Sequence, residues 1–235
     1  LPWEWVGPVM IGVCDGMHDA HSQKPPIMHR DLSPDNIFIA SIDGETRVKV
    51  IDFGLAKFVQ DSNDGLTKDG TVMGKAEYMA PEQILRALGK TAESYAPKEL
   101  LAEIGPGGDY DHRVDIYTCG VIMYKLLTGD PPFYSEKYFE TMLMHLVTEP
   151  KRPREINPDI PEDVERVIMR TMEKNPARRY QSIRELKAAV ERCMHRESGS
   201  GHRSSEDFVL SDILNALDRS EEKNVQARKP HRLEI

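Results

Sequence analysis

The sequence predicts an α+β fold that is mainly helical and contains one small β-hairpin. After residue 115, apolar residues recur at the three- and four-residue intervals of amphipathic or buried helices. Earlier in the chain, an apolar run at 37–39 and a segment in which Val48 and Val50 alternate with charged residues flank Asp43-Gly44, a dipeptide typical of tight hairpin turns. Between Gly54 and Pro81 no period persists, and this composition predicts one long loop.

Two helices carry most of the predicted core. Residues 6–20 place apolar side chains on one face, and Pro8 is compatible with a helix there only in its first turn. Residues 116–127 are apolar almost all the way round, which predicts a helix that is buried on every side. Three amphipathic helices are expected to follow, over the apolar positions of 139–146, 164–172 and 183–193.

We expect one domain over residues 1–197, followed by a flexible linker and tail over 198–235. The run Ser198-Gly199-Ser200-Gly201 has the composition of a linker. In the tail, apolar residues between 210 and 217 share one face and predict a short helix. A helix of that length is marginal alone, so it either melts or docks on this domain or on a partner, and docking is the expectation.

Composition excludes some classes of protein. The net charge of −8 argues against nucleic-acid binding, because phosphate contacts need clustered Lys and Arg. Three widely spaced cysteines indicate reduced thiols and a cytoplasmic setting. The longest apolar stretch, 116–127, is too short to cross a bilayer. Because the chain begins with Leu, we interpret it as a fragment whose longer parent could be tethered to a membrane elsewhere.

Three motifs indicate the chemistry. The run His29-Arg30-Asp31-Leu32-Ser33-Pro34-Asp35-Asn36 is followed, sixteen residues after Asn36, by Asp52-Phe53-Gly54, and then by Ala80-Pro81-Glu82. These segments resemble the H-R-D-x-x-x-x-N, D-F-G and A-P-E signatures of protein kinases, in the same order. The resemblance covers about residues 1 to 195 and is closest to bacterial Ser/Thr kinases. It implies the C-terminal lobe of a kinase, a helical bundle with a β-hairpin at the active site.

The resemblance implies transfer of the γ-phosphate of ATP to a protein hydroxyl, which needs positioning and charge neutralisation. Asp31 would accept the proton of the incoming hydroxyl. Asn36 and Asp52 would hold Mg²⁺, a hard cation that binds through few protein groups. Phe38 would lie under the adenine ring, although it could equally be a core side chain. As an alternative, the Asp and Asn residues could simply be turn formers.

Further residues match structural or regulatory positions of the family. Asp115 resembles the acid that anchors the catalytic-loop backbone, and Glu82 and Arg179 match a buried ion pair. The remaining matches are regulatory. By resemblance, His29, Phe53 and Gly54 belong to the motifs that set the active conformation. An arginine at the position of Arg30 commonly receives an activation-loop phosphate in the family, and Thr67 and Thr71 are the candidate acceptors here. For either threonine, an ordinary loop hydroxyl is the alternative.

The sequence also departs from the family pattern. No glycine-rich strand pair, no V-A-I-K lysine and no helix-C glutamate is present, so we expect that the N-terminal lobe lies before residue 1 and that this chain alone is inactive. The stretch between Glu82 and Asp115 is longer than usual, and 98–103 predicts an extra helical turn. Pro34 and the run 78–83 still favour Ser/Thr over Tyr specificity. A binding module without catalysis, and a fragment that competes for a kinase's partners, are the alternatives.

The last departure concerns two positions whose residue types are exchanged relative to the family pattern. Ser33 stands where the family usually has lysine, and Lys75 stands where it usually has an activation-loop threonine. Serine alone cannot neutralise the charge that develops on a transferred phosphate. Lys75 has a flexible side chain and can deliver its positive charge from the opposite side of the site. We therefore predict that the Lys75 ammonium lies near the Ser33 hydroxyl and within salt-bridge range of Asp31. The alternative is a Lys75 that points to solvent.

Overall fold

The computed structural model describes residues 1–42, 45–53, 75–105 and 110–197. The predicted turn Asp43-Gly44, most of the predicted long loop, and the linker and tail lie outside the described residues. The helices and strands in the described part are α1 (Trp3–His21), β1 (Ile37–Ile42), β2 (Glu45–Val50), α2 (Pro81–Leu88), α3 (Lys98–Ile104), α4 (Arg113–Thr128), α5 (Tyr138–Val147), α6 (Pro153–Ile156), α7 (Glu162–Thr171) and α8 (Ile183–Glu197).

The two predicted strands form an antiparallel pair, in which Ile37 lies opposite Val50 and Ile42 opposite Glu45. One face of this hairpin packs on α1. The approach is close because a Cβ atom added at Gly12 would lie only 2.6 Å from the Cβ atom of Val48. Glycine at this position lets the helix backbone approach the sheet directly, which fixes the hairpin to the helical core.

Helix α4 is the centre of the core, as the all-round apolar pattern predicts. It begins at Arg113, and its buried side chains contact α1, α6, α7 and α8. Gly120 permits the packing of α7 because an added Cβ would come within 3.0 Å of Thr171. Within the described residues, no helix is both long enough and apolar enough to cross a membrane. The predicted first and three amphipathic helices are also present, as α1, α5, α7 and α8.

Helix α1 corrects one expectation. It begins at Trp3, so Pro8 lies in its second turn rather than its first. Proline there cannot donate the backbone hydrogen bond that a helix normally forms. The prediction was wrong because Trp3 is buried together with Val6 and Met10, and the apolar face therefore extends further towards the N-terminus than the pattern suggested. Burial of that face offsets the missing hydrogen bond.

The long stretch after Glu82 builds a second apolar cluster. Its predicted extra helix is present as α3, preceded by a 3₁₀ segment over Gly89–Ser94. Leu100 and Ala92 from this stretch pack with side chains of α2 and α5 and with Ala76 and Met79. The insertion therefore supports the short segment that begins at Lys75.

A buried histidine makes the stability of the fold depend on pH. His145 on α5 is inaccessible to solvent, and its Nδ1 atom lies 2.8 Å from the hydroxyl of Tyr117. Burial, with a contribution from Lys174, lowers its pKa from 6.5 to about 3. Between those values only the unfolded state takes up the proton, so the free energy of unfolding should fall as pH drops through this window, by up to about 1.4 kcal/mol per pH unit.

We expect that His145→Gln flattens this dependence, because the variant has no imidazole to protonate on unfolding. Urea denaturation between pH 7 and pH 4 measures the free energy of unfolding of both proteins. The matched control is the same change at His195, which is exposed on α8. Equal slopes for the wild-type protein and His145→Gln would contradict the prediction.

Candidate active site

Asp115 holds the backbone of the loop that leads to Asp31. Its carboxylate oxygens accept hydrogen bonds from the backbone N–H groups of His29, at 3.0 Å, and Arg30, at 2.9 Å. Arg30 has a φ of 68°, a left-handed conformation that is costly for a residue with a side chain. The carboxylate lies in the first turn of α4, where the helix dipole favours negative charge. The contact expected between Asp115 and the loop backbone is therefore present.

His21 is a further partner of Asp115 that sequence reasoning missed. Its Nε2 atom lies 2.8 Å from the Asp115 carboxylate, and its ring is largely buried. The residue stands at the end of α1, ten positions before Asp31. No local sequence signal indicates the contact, because α1 and α4 are distant in the chain.

The same loop is tied to the segment that carries Asp52. The imidazole Nε2 of His29 lies 2.8 Å from the carbonyl oxygen of Ile51, and its ring centre lies 4.9 Å from that of Phe53. The backbone N–H of Ile51 donates to the carbonyl oxygen of Asn36 at 3.0 Å. These bonds bring Asn36 to the end of β2, immediately before Asp52. Asp52 is exposed and has a φ of 60°.

Ser33 and Asn36 connect the loop after Asp31 to the segment at Lys75. The Ser33 hydroxyl donates to Asn36 Oδ1 at 2.9 Å. Lys75 Nζ in turn donates to Ser33 Oγ, also at 2.9 Å, and forms an ion pair with Asp35. Lys75 therefore does not point away into solvent, and its predicted proximity to Ser33 is confirmed.

The predicted ion pair between Lys75 and Asp31 is wrong. In the part of the chain that the structure describes, the carboxylate paired with Lys75 is that of Asp35. The reason is local: Asp35 lies two residues after Ser33, on the 3₁₀ segment Pro34–Asn36, so an ammonium that reaches the Ser33 hydroxyl also reaches this carboxylate.

Phe38 is 55% exposed, so it is not part of the core that the described residues form. It lies on β1 opposite Lys49, on the face of the hairpin away from α1. Phe53, by contrast, is partly buried and packs on the main core.

A buried ion pair fixes the end of the long loop. Arg179 donates to both carboxylate oxygens of Glu82, at 2.6 and 2.8 Å, and its side chain is fully buried. The guanidinium also donates to the carbonyl oxygens of Glu173, Lys174 and Arg113. The expected contact between Glu82 and Arg179 is thus present with a bidentate geometry, and every donor direction of the guanidinium is used.

Gln83 is another connecting residue that sequence reasoning missed. Its side-chain oxygen accepts from the backbone N–H of Ala80 at 3.0 Å, as in a capping box, and its amide nitrogen donates to the carbonyl oxygen of Arg30 at 2.9 Å. Gln83 stands at the third position of α2, where glutamine in a sequence is a known capping signal. Its second bond joins the start of α2 to the loop at Arg30.

The oxygen donors at the hairpin end suit a magnesium ion. Asn36 Oδ1 and the exposed Asp52 carboxylate are hard ligands, and Mg²⁺ binds through one or two such groups while keeping several waters. Gly54, Thr67 and Thr71 lie outside the described residues, so the predicted regulatory roles of these three residues have no structural counterpart here.

Comparison with known proteins identifies the family. Residues 4–191 match the sequence profile described as the protein kinase domain. The chain belongs to the protein kinase family. A probable serine/threonine-protein kinase of Corynebacterium efficiens is 36% identical over 187 residues, covering 78% of this chain and 24% of the relative.

Two other kinases extend the comparison. Serine/threonine-protein kinase Pkn1 of Myxococcus xanthus is 37% identical over 184 residues, covering 78% of this chain and 23% of that protein. Serine/threonine-protein kinase PknB of Mycobacterium tuberculosis is 28% identical over 208 residues, covering 88% of this chain and 29% of that protein. The chain thus spans about a quarter of the length of the kinases it matches. The predicted family and the resemblance to bacterial Ser/Thr kinases are confirmed, as is the mainly helical fold with a small hairpin.

Proposed function

We propose that this chain forms the catalytic C-terminal lobe of a Ser/Thr protein kinase that transfers the γ-phosphate of ATP to a protein hydroxyl. The observation that carries the proposal is a set of hydrogen bonds that fixes the segments carrying Asp31, Asn36 and Asp52. The loop before Asp31 is held by Asp115, and the bond from Ile51 to Asn36 brings Asn36 next to Asp52. A module that only binds partners has no physical need for a base and two metal ligands in this arrangement.

Each side chain has a role in this proposal. Asp31 accepts the proton of the substrate hydroxyl as the hydroxyl oxygen attacks phosphorus. Asn36 and Asp52 hold Mg²⁺, which when bound neutralises charge on the phosphates of ATP. The exposed ring of Phe38 supports the adenine, and Arg30 receives a phosphate carried by Thr67 or Thr71. Transfer further requires an N-terminal lobe, because the sequence has neither a glycine-rich strand pair nor a V-A-I-K lysine.

Lys75 supplies the positive charge that a lysine at position 33 would supply in other kinases. Its ammonium is already fixed on the Ser33 hydroxyl, at the edge of the proposed phosphate site. Losing such a charge without replacement slows transfer by weakening electrostatic stabilisation of the transition state. Since Lys75 contacts Asp35 and not Asp31, this charge acts on the phosphate side of the site rather than on the base.

A double-mutant cycle tests the exchange of Ser33 and Lys75. In the complete kinase, meaning this chain together with an N-terminal lobe, we expect Ser33→Lys and Lys75→Thr each to lower kcat about tenfold or more. The double variant restores the common family arrangement, so it should recover most of the activity. Effects on the free energy of activation that simply add would remove Lys75 from catalysis.

The function itself is tested by incubating the complete kinase, and separately this chain, with γ-labelled ATP, Mg²⁺ and a mixture of peptides with Ser, Thr or Tyr. We expect label on Ser or Thr with the complete kinase and none with this chain alone. Labelled Tyr would overturn the proposed specificity, and label produced by this chain alone would overturn the need for an N-terminal lobe. A complete kinase that binds a partner protein but transfers no label would instead support the binding-module alternative.

A further inference from the structure

We propose that Asp35, Lys75 and Ser33 form a positioning chain that orients the amide oxygen of Asn36 towards the metal. The inference rests on the proposed function, since it assigns the means by which one metal ligand of that site is held. Asp35 was given no role by the family resemblance, and its carboxylate side chain is 79% exposed. The three residues come from two segments that are about forty positions apart.

The backbone of Asn36 is fixed on both sides. Its N–H donates to the carbonyl oxygen of Ser33 and its own carbonyl oxygen accepts from Ile51, both at 3.0 Å. Only the two side-chain torsions remain to decide where the amide oxygen points. The Ser33 hydroxyl, 2.9 Å from Oδ1, is the contact that restricts them.

Lys75 and Asn36 contact opposite hydrogen-bonding functions of the Ser33 hydroxyl, its acceptor and its donor. An ammonium group only donates, so Ser33 Oγ accepts from Lys75 and its single proton is left for its other neighbour. The Asn36 atom that faces Ser33 is its amide oxygen, which accepts this proton. One lone pair of that oxygen is used by Ser33, and among the described residues the second is left for a metal ion.

Asp35 in turn holds Lys75 over Ser33. The backbone of Lys75 is already placed, because the following 3₁₀ segment Ala76–Tyr78 is bound to α4 through the bond from the Thr118 hydroxyl to the Tyr78 carbonyl oxygen at 2.9 Å. The lysine side chain, however, has four rotatable bonds and is 43% exposed. An exposed ion pair adds little to stability, but it biases a flexible side chain towards one position.

Second partners of metal ligands commonly change metal affinity by about ten- to a hundredfold when they are removed. In the complete kinase with ADP, Ser33→Ala should weaken Mn²⁺ binding about tenfold. Asp35→Asn should weaken it only about threefold, because Asp35 lies at the end of the positioning chain that is farthest from the metal. Asp35→Glu retains the carboxylate and should recover part of the affinity. Mn²⁺ is the probe because electron paramagnetic resonance counts the free ion directly, without any turnover.

The matched control is Glu162→Gln, which removes one charge from an exposed ion pair on α7, remote in sequence from the site. Support for the inference is weaker Mn²⁺ binding in Ser33→Ala and Asp35→Asn with no change in Glu162→Gln. Unchanged Mn²⁺ affinity in both site variants overturns it, even if their kcat falls, and leaves the proposed function standing. If the wild-type kinase binds no Mn²⁺ with ADP, both proposals are overturned together.

Discussion

Replacing Asp31 by Asn in the complete kinase is expected to lower kcat by about two to four orders of magnitude, the range typical for loss of a general base. Asparagine has the shape of aspartate but does not accept the proton of the substrate hydroxyl. The KM for ATP should change little, because Asn36 and Asp52 rather than Asp31 are proposed to hold the metal and nucleotide. Steady-state phosphorylation of a Ser peptide measures both parameters.

Glu162→Gln serves as the control for the loss of one negative charge. The unfolding midpoint of Asp31→Asn should match that of the wild-type kinase, since the loop backbone is held by Asp115 and not by Asp31. Near-wild-type kcat in Asp31→Asn would exclude Asp31 as the base.

The largest expected effect on stability is at Arg179. Arg179→Met leaves the Glu82 carboxylate buried without its partner and removes donors from three backbone carbonyl oxygens. Breaking one side of a buried ion pair typically costs about 3 to 5 kcal/mol of the free energy of unfolding. Urea denaturation of this chain measures that loss.

Two further variants serve as a control and as a test of the unpaired charge. Arg166→Met breaks an exposed ion pair with Glu162 and should cost less than about 1 kcal/mol. The double variant Glu82→Met with Arg179→Met should be more stable than Arg179→Met alone, because no unpaired charge remains buried. A cost for Arg179→Met no greater than that for Arg166→Met would contradict the structural role assigned to this pair.

The sequence predicted the parts of the fold that depend on local pattern. The all-round apolar run at 116–127 identified the central helix α4, and the apolar runs around Asp43-Gly44 identified the hairpin strands. The predicted position of Pro8 in the first turn of α1 was wrong. The backbone preference of proline takes no account of the burial of Trp3, which extends the helix towards the N-terminus.

The site was predicted less completely, and the reason is physical. Residue types and spacing predict Asp31, Asn36 and Asp52 as site residues, since each belongs to a short motif. The contact of Lys75 with Asp35, and that of His21 with Asp115, join segments 40 and 94 positions apart. Such side-chain pairings depend on how the helices pack, and no local pattern contains that information.

The proposed function depends most directly on a magnesium-dependent nucleotide site at the end of the hairpin. Titration calorimetry of the complete kinase with ADP, in Mg²⁺ and in EDTA, measures that site without relying on turnover. We expect Mg²⁺ to strengthen ADP binding in the wild-type kinase, and this strengthening to disappear in Asp52→Ala. An equal effect of Mg²⁺ on both proteins would contradict the metal site and, with it, the catalytic arrangement of Asp31, Asn36 and Asp52.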